Sequence, residues 1–293
     1  MNFKKIIFSL FAVFLAFALS AQFTPKTAGI SSFARFFKSD TYFVFTGNTA
    51  VDSALITAVA ENWTITNALF IPEDSFKVLT KDRDKSFVYI SDLKRQGTSK
   101  QVKALCLVNG GYDDMATYLT NTLAYISIDN EGYEANIEEI IYRLGHLVYQ
   151  LQDVVNIVKE ENYIENSEEA VRYKLEKYYT KRCELVQQKT LLIDRSYLSQ
   201  KIFSEMEFTN LYKYSLNFVN KSVIEKAIRD KDKSKVYLVS ALNLYKINTV
   251  ADCATGQILY IEFEEKNPVT NEFNKTFDRD DIVLLNGHIK SGK

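Results

Sequence analysis

Apolar and polar positions follow two different rhythms along this chain. The run TYFVF at 41–45 is continuous and rich in aromatic and β-branched residues, and Gly47 closes it, which predicts a strand. From Thr49 the apolar residues Val51, Leu55, Ile56 and Val59 fall three or four apart, with Trp63 a turn further on, so a helix is predicted next. NALFI (67–71) reads as a second strand. Pro72 opens a short helix with Glu73 and Asp74 in its first turn, and SFVYIS (86–91) follows as a third strand. KALCLV (103–108), ended by the turn NGG, and LAYISID (123–129) add two more. Strands that are continuous apolar runs, alternating with helices, indicate an α/β layer covered on both faces.

Beyond residue 130 the rhythm is helical. Ile137, Ile140, Ile141, Leu144, Leu147, Val148, Leu151, Val154, Val155 and Val158 form one stripe, predicting a helix of about 25 residues. A more charged helix runs from about Glu168 to Gln188. Strand-like KTLLID (189–194), the helix SVIEKAIRD (222–230) and the strand KVYLVSAL (235–242) follow. LYKINTVAD and QILYIEFEE form a hairpin about a turn at Asp252–Gly256; DIVLLNG (281–287) reads as a last strand and HIKSGK as a loose tail.

This order repeats. FIPEDSFKVLTKDRDKSFVYI (70–90) aligns without a gap to FVNKSVIEKAIRDKDKSKVYL (218–238), with identities at seven of 21 positions, among them Phe70/Phe218, Asp82/Asp230, Ser86/Ser234, Val88/Val236 and Tyr89/Tyr237. The fold class expected is therefore α/β, with two related β-α-β-α-β-β units and a helical hairpin between them. Helices at 73–80 and 221–229, and strands at 86–91 and 235–240, should superimpose. The boundaries expected are a signal peptide at 1–21, a first unit at 22–130, the hairpin at 131–188 and a second unit at 189–293.

The signal peptide is read from Lys4 and Lys5, the apolar run Ile6–Leu19 and the small residues Ser20 and Ala21. That run is shorter than the roughly 20 residues a membrane-spanning helix needs. Cleavage after Ser20 or after Ala21 fits, the latter leaving Gln22 first. Export to the periplasm or the exterior is the localisation expected, with no transmembrane segment in the mature chain. Loss of Lys4 and Lys5 moves the formal net charge from −1 to −3. Cations and anions are interleaved throughout, so nucleic acid is not an expected partner. The three cysteines, Cys106, Cys183 and Cys253, allow at most one disulfide and read as structural thiols.

Chemistry is sparse. Asp82 with Asp84, and Asp230 with Asp232, have the spacing that opens a calcium loop, but the required glycine and glutamate are replaced by Phe87 and Leu93, and by Lys235 and Ala241. Both are read as charged turns. Asn48 and Thr49 stand where a strand gives way to a helix, as an anion contact or a helix cap. Gly110, Gly111, Asp113 and Asp114 lie just beyond a strand, where open α/β sheets bind ligands, although the same residues make ordinary turns. His146 falls about 200° round its helix from the apolar stripe and His288 lies in the tail, so neither is placed for catalysis. No metal or cofactor is expected. Tyr173, Tyr178, Tyr179, Tyr212 and Tyr214 stand in polar company and are candidates for partner contact.

The SAQ junction, the segment ENWTITNALFI and the hairpin residues DCATGQILY resemble exported bacterial α/β proteins to which no activity is assigned. The resemblance implies export and an α/β fold, and transfers no catalytic residue. The function expected is a non-catalytic binding or envelope-assembly protein whose partner is a protein or another envelope component. The alternative is a carboxylate-based hydrolase or small-ligand-binding protein with its site in the Asn109–Asp114 loop.

Overall fold

The structure is a computed structural model that describes residues 30–94, 101–112, 122–128, 135–160, 168–198, 205–242, 246–264 and 277–291. The expected signal peptide lies outside them. The first unit runs α1 (Ile30–Phe36), β1 (Thr41–Val44), α2 (Thr49–Asn62), β2 (Ala68–Ile71), α3 (Glu73–Leu79), β3 (Ser86–Lys94), β4 (Gln101–Asn109) and β5 (Thr122–Ser127). Two helices follow, α4 (Ile137–Glu160) and α5 (Glu168–Thr180), with a 3-10 turn at Cys183–Gln188. The second unit runs β6 (Thr190–Asp194), α6 (Glu205–Leu211), β7 (Leu216–Val219), α7 (Lys221–Arg229), β8 (Lys235–Leu242), β9 (Lys246–Asp252), β10 (Ile258–Glu264) and α8 (Arg279–Ser291).

Both sheets have one topology. The strand orders are β2-β1-β3-β4-β5 and β7-β6-β8-β9-β10, each with its first three strands parallel and its last two antiparallel. Phe43 faces Val88 across β1 and β3, and Leu191 faces Val236 across β6 and β8; both pairs keep the 148-residue spacing. The helices expected to correspond are α3 and α7, and the strands β3 and β8. The chain is an α/β protein of two related units with a helical pair between them.

Local chemistry sets the helix starts. Asn48 caps α2 by accepting from the N–H groups of Ala50 and Val51. Asn136 caps α4 through Glu139 N–H at 2.9 Å. Asp278 caps α8: its carboxylate accepts from Asp280 and Asp281, while Asp281 accepts from the Asp278 N–H at 2.7 Å, a reciprocal capping box.

Helix α8 corrects the reading of 281–287 as a strand and of the residues after it as a loose tail. The aliphatic run IVLL resembles a strand, but the cap at Asp278 sets a helix, and Ile282, Leu285 and Ile289, spaced three and four apart, are buried by it. Residues 30–36, read as a lead-in, form α1, and the second helix of the pair stops at Thr180.

Each sheet is covered on both faces, as its apolar strands require. In the first unit α2 and α4 cover the face of Phe43, Val88 and Leu105, while α3 lies over Phe87 and Val108. In the second unit α8 and α6 pack over Leu191, Val236 and Val250, while α7 covers Leu192, Tyr237 and Ala251. Helix α4 does more than its counterpart α8. Its stripe of Leu144, Leu147, Leu151, Val154 and Val155 also shares a core with Ile247, Ile258, Ile261 and Phe263 of the second sheet.

Because α4 completes both sheets, the two units should unfold as one. Leu151→Ala removes a fully buried side chain and is expected to cost about 2–5 kcal/mol. Urea unfolding followed by the fluorescence of Trp63, the one tryptophan, and by far-UV circular dichroism should give coincident transitions in the parent, and both should shift together in the variant. Separated transitions would show that the units are energetically independent.

Candidate functional site

The second face of α4 is polar and meets the second unit. Glu139, Tyr142, His146, Gln150 and Asp153 repeat at three- and four-residue spacing; Glu139, His146 and Gln150 make a hydrogen bond or ion pair to the second unit, Asp153 bonds to α5 and the residue Arg182 after it, and Tyr142 packs against the apolar residues under α7. Glu139 pairs with Lys221 of α7. His146 Nδ1 lies 2.9 Å from the Tyr237 hydroxyl, and Gln150 donates to the Gly256 carbonyl at 3.0 Å. Asp153 accepts from Arg182 at 3.0 Å and from the Tyr179 hydroxyl at 3.1 Å. The β9–β10 turn reaches this close because Gly256 has φ +77°, and a Cβ there would lie 2.7 Å from the His146 ring. His146 was expected away from the buried stripe. It is buried all the same, because the opposite face of its helix is covered too.

A cleft of about 290 Å³ opens where α2, α4, α7 and this turn converge. Gly145 and His146 form its floor on α4, Ala58 and Asn62 one wall, and Ile228 and Thr255 the other. Glu61 and Lys231 pair at 3.0 Å, linking α2 to the turn after α7, and line the cleft with Arg229. The lining thus offers both charge signs, an amide and hydroxyls. Its volume suits one small polar group or one side chain.

The chemistry available at the floor is recognition. Burial, with the Arg143 cation adding to it, pushes the His146 pKa down to about 4, so the ring is neutral near pH 7 and weak as a base. All three cysteines are free and buried, and burial raises the Cys183 and Cys253 thiols to about 12 and Cys106 further. Among the described residues no group of three or more His, Cys, Asp or Glu side chains is placed to hold a metal ion.

The residues singled out from sequence lie elsewhere. Asn48 is the cap of α2, and the Asp52 carboxylate accepts from the N–H groups of Thr46 and Gly47, so it takes the place an anion would occupy beside Thr49. Gly110 and Gly111 pack against the turn after α3: a Cβ on Gly110 would lie 2.0 Å from the Asp82 carbonyl oxygen, and Gly111, at φ +97°, lies under the Arg83 side chain. Asp113 and Asp114 lie outside the described residues. Asp82 accepts from Asp84 N–H and pairs with Lys85, and Asp232 does the same with Ser234 and Lys235, which makes both acidic pairs turn caps. Of the tyrosines, Tyr179 and Tyr212 are core residues, Tyr178 stacks on Arg182, and Tyr173 is exposed.

A second polar cluster is buried under the start of α8. Lys246, 1 % exposed, pairs with Asp281 and Glu264 at 2.7 Å each. Asn248 donates to Asp281 at 2.8 Å and to Glu262 at 3.3 Å, and Tyr260 donates to Glu262 at 2.7 Å. Burial raises Glu262 to about 7 and Asp281 to about 6, the latter against the pull of Lys246. Burial disfavours charge on Lys246 as well, but its two carboxylates outweigh that and hold its pKa above the ordinary value.

Both clusters belong to one sequence signal. EEIIYRLGHL (138–147) and DDIVLLNGHI (280–289) match at a spacing of 142, sharing Ile140/Ile282, Gly145/Gly287 and His146/His288, with acidic residues at both leading positions and caps at Asn136/Asp278. The match aligns the chain's two histidines, although His146 meets Tyr237 and His288 lies by Thr180 and Tyr260. A search at 148 misses the match because the connections differ in length. Compared with protein families, curated proteins and solved structures, the chain gives no match in any of the three. Fold and site together define a two-unit α/β protein with a polar cleft at the junction of its units. Among the described residues no helix is long and apolar enough to cross a membrane.

Two pH effects of opposite sign follow. Glu262 binds its proton more tightly folded than unfolded, so its contribution is full below pH 4.5 and is lost as pH rises through about 7. Glu262→Gln should remove that loss and raise stability at pH 8 by roughly 2–3 kcal/mol in urea titrations. A pH profile unchanged by the substitution would contradict the assignment. His146 holds its proton more weakly folded than unfolded, so stability falls as pH drops from 6.5 through about 4. His146→Gln should flatten this acid limb while lowering stability at pH 7, where the contact to Tyr237 is lost.

Proposed function

We propose that this is an exported, non-catalytic binding protein that recognises a protein or other envelope component through the junction cleft. The observation that carries this reading is Gly145. A glycine inside a helix costs roughly 0.5–1 kcal/mol against alanine. Here a Cβ would meet nothing nearer than Asn62 Nδ2 at 3.6 Å, so packing within the chain does not require the glycine. What a side chain at 145 would fill is the cleft. Its lining of Asn62, Thr255, Glu61 and Lys231 suits a hydrogen-bonding side chain of a partner, and the neutral, fully engaged His146 supports recognition over turnover. Export is supported by the Lys4–Lys5 and Ile6–Leu19 pattern. The alternative, carboxylate chemistry in the Asn109–Asp114 loop, gains nothing from Gly110 and Gly111, which pack against their own turn.

Gly145→Leu is the discriminating variant. It should melt at or above the parent temperature, since leucine is the better helix former, and recover its crosslinked envelope partner at least about tenfold less well. Undiminished recovery by the folded variant would move recognition elsewhere. Failure of the parent itself to crosslink any partner reproducibly would sink the binding reading.

A further inference from the structure

Three polar side chains that line the junction cleft have spent a donor within their own segments. Thr57 donates to the Ser53 carbonyl at 3.2 Å, Asn62 to the Ala58 carbonyl at 2.8 Å and Thr255 to the Asp252 carboxylate at 3.3 Å. These contacts leave the hydroxyl oxygens and the Asn62 amide oxygen as acceptors. Arg229 pairs with Glu225 of its own helix. Helix α2 also ends at the cleft. Its last turn carries Glu61 and no basic residue, so an acid stands at the negative end of the helix, where a cation is favoured. Ala54, Ala58, Ile141 and Ile228 give the same cleft an apolar side beside Gly145, which suits the methylene stem of a long side chain.

A cation already stands at this acid: Lys231 Nζ lies 3.0 Å from Glu61 Oε2. The pair is poorly explained as a stability device. Its side chains are 64 % and 51 % exposed, and an ion pair in that much water contributes little. Lys231 also has φ +49°, the one positive φ among the described non-glycine residues. It closes α7, its N–H meeting the Ile228 carbonyl while Asp232 N–H meets that of Ala227. Glycine is the usual residue for such a cap. A lysine there strains its backbone and gains only an exposed contact. That contact demonstrates one property of the cleft, that the end of α2 accepts an ammonium group.

We propose that the group recognised in the junction cleft is a lysine side chain of a partner protein, its stem laid over Gly145 and its ammonium on Glu61 and the Asn62 amide oxygen in exchange for Lys231. This assignment rests on the cleft being the recognition site and adds the chemistry of what enters it. Lys231 is a placeholder: it neutralises Glu61 while the cleft is free and turns to solvent when the partner's lysine arrives. Because it competes with the incoming cation, removing it strengthens binding. An acidic occupant would reverse that sign, since it would need Lys231 and be repelled by Glu61.

The probe is Nα-acetyl-lysine methylamide, titrated into the mature chain from Gln22 and followed by the amide NMR resonances of Gly145 and Thr255, with the norleucine and glutamate analogues as controls. The lysine probe should shift both resonances saturably in the parent, and the controls should not. Glu61→Gln should weaken binding at least about tenfold, through loss of a charge-assisted contact. Lys231→Gly should melt at or above the parent temperature, glycine being suited to φ +49°, and bind the probe about threefold more tightly. No saturable shift with the lysine probe, equal shifts with norleucine, or weaker binding by folded Lys231→Gly would overturn the assignment, the last in favour of an acidic occupant. If the lysine probe fails while Gly145→Leu still loses its crosslinked partner, the lysine is wrong and the cleft stands.

Discussion

Helix α4 is the constraint on which the rest depends, because it is the one long helix that two sheets require at once. A surface helix needs a single apolar stripe, but α4 is buried against the first sheet along Leu144, Leu147 and Leu151 and against the second unit along His146 and Gln150. The two faces are handled differently. The first is apolar and tolerant of small shifts, whereas the second consists of polar groups that are costly to bury unless each meets its partner. An apolar second face would bury more surface but would accept several registers of one unit on the other. Hydrogen bonds to Tyr237 and the Gly256 carbonyl fix a single register, a use of buried polar groups in which specificity outranks stability.

Much of the fold was legible because it is written in periodicities. Continuous apolar runs gave the strands, three-and-four spacing gave α2 and α4, and the 148-residue match gave the pairing of α3 with α7 and β3 with β8. The misreading of 281–287 shows the limit of that method. IVLL in DIVLLNG satisfies a strand and a helix equally, and what decides is the reciprocal cap between Asp278 and Asp281, a contact three residues apart that hydrophobicity does not register. The comparison with EEIIYRLGHL would have settled it, since an identical Gly-His pair sits in a helix of certain period.

The site was less legible, for a physical reason. Sequence points to groups that are chemically conspicuous, and those among the described residues are occupied: Asp52 satisfies the start of α2, Gly110 is pressed against Asp82, and the Asp-x-Asp pairs cap turns. The cleft is made from residues that are unremarkable singly. Ala58, Asn62, Gly145 and Thr255 come from three stretches of chain and define a space only because α4 brings α2 and the β9–β10 turn together. Tertiary arrangement, not residue type, carries the information.

The glycines separate two demands that sequence alone merges. Gly111 and Gly256 have positive φ and lie under a side chain, so backbone geometry and close approach both require them. Gly145 and Gly287 lie in ordinary helix, where glycine weakens the element and no neighbour among the described residues forbids a side chain. Two helical segments that match at a spacing of 142 both keep this weaker choice beside a histidine. One copy borders the junction cleft, and the other faces solvent on α8. A glycine of the first kind is explained by the chain that contains it. For one of the second kind, packing within the described chain gives no reason, and at Gly145 the space beside the helix is the junction cleft.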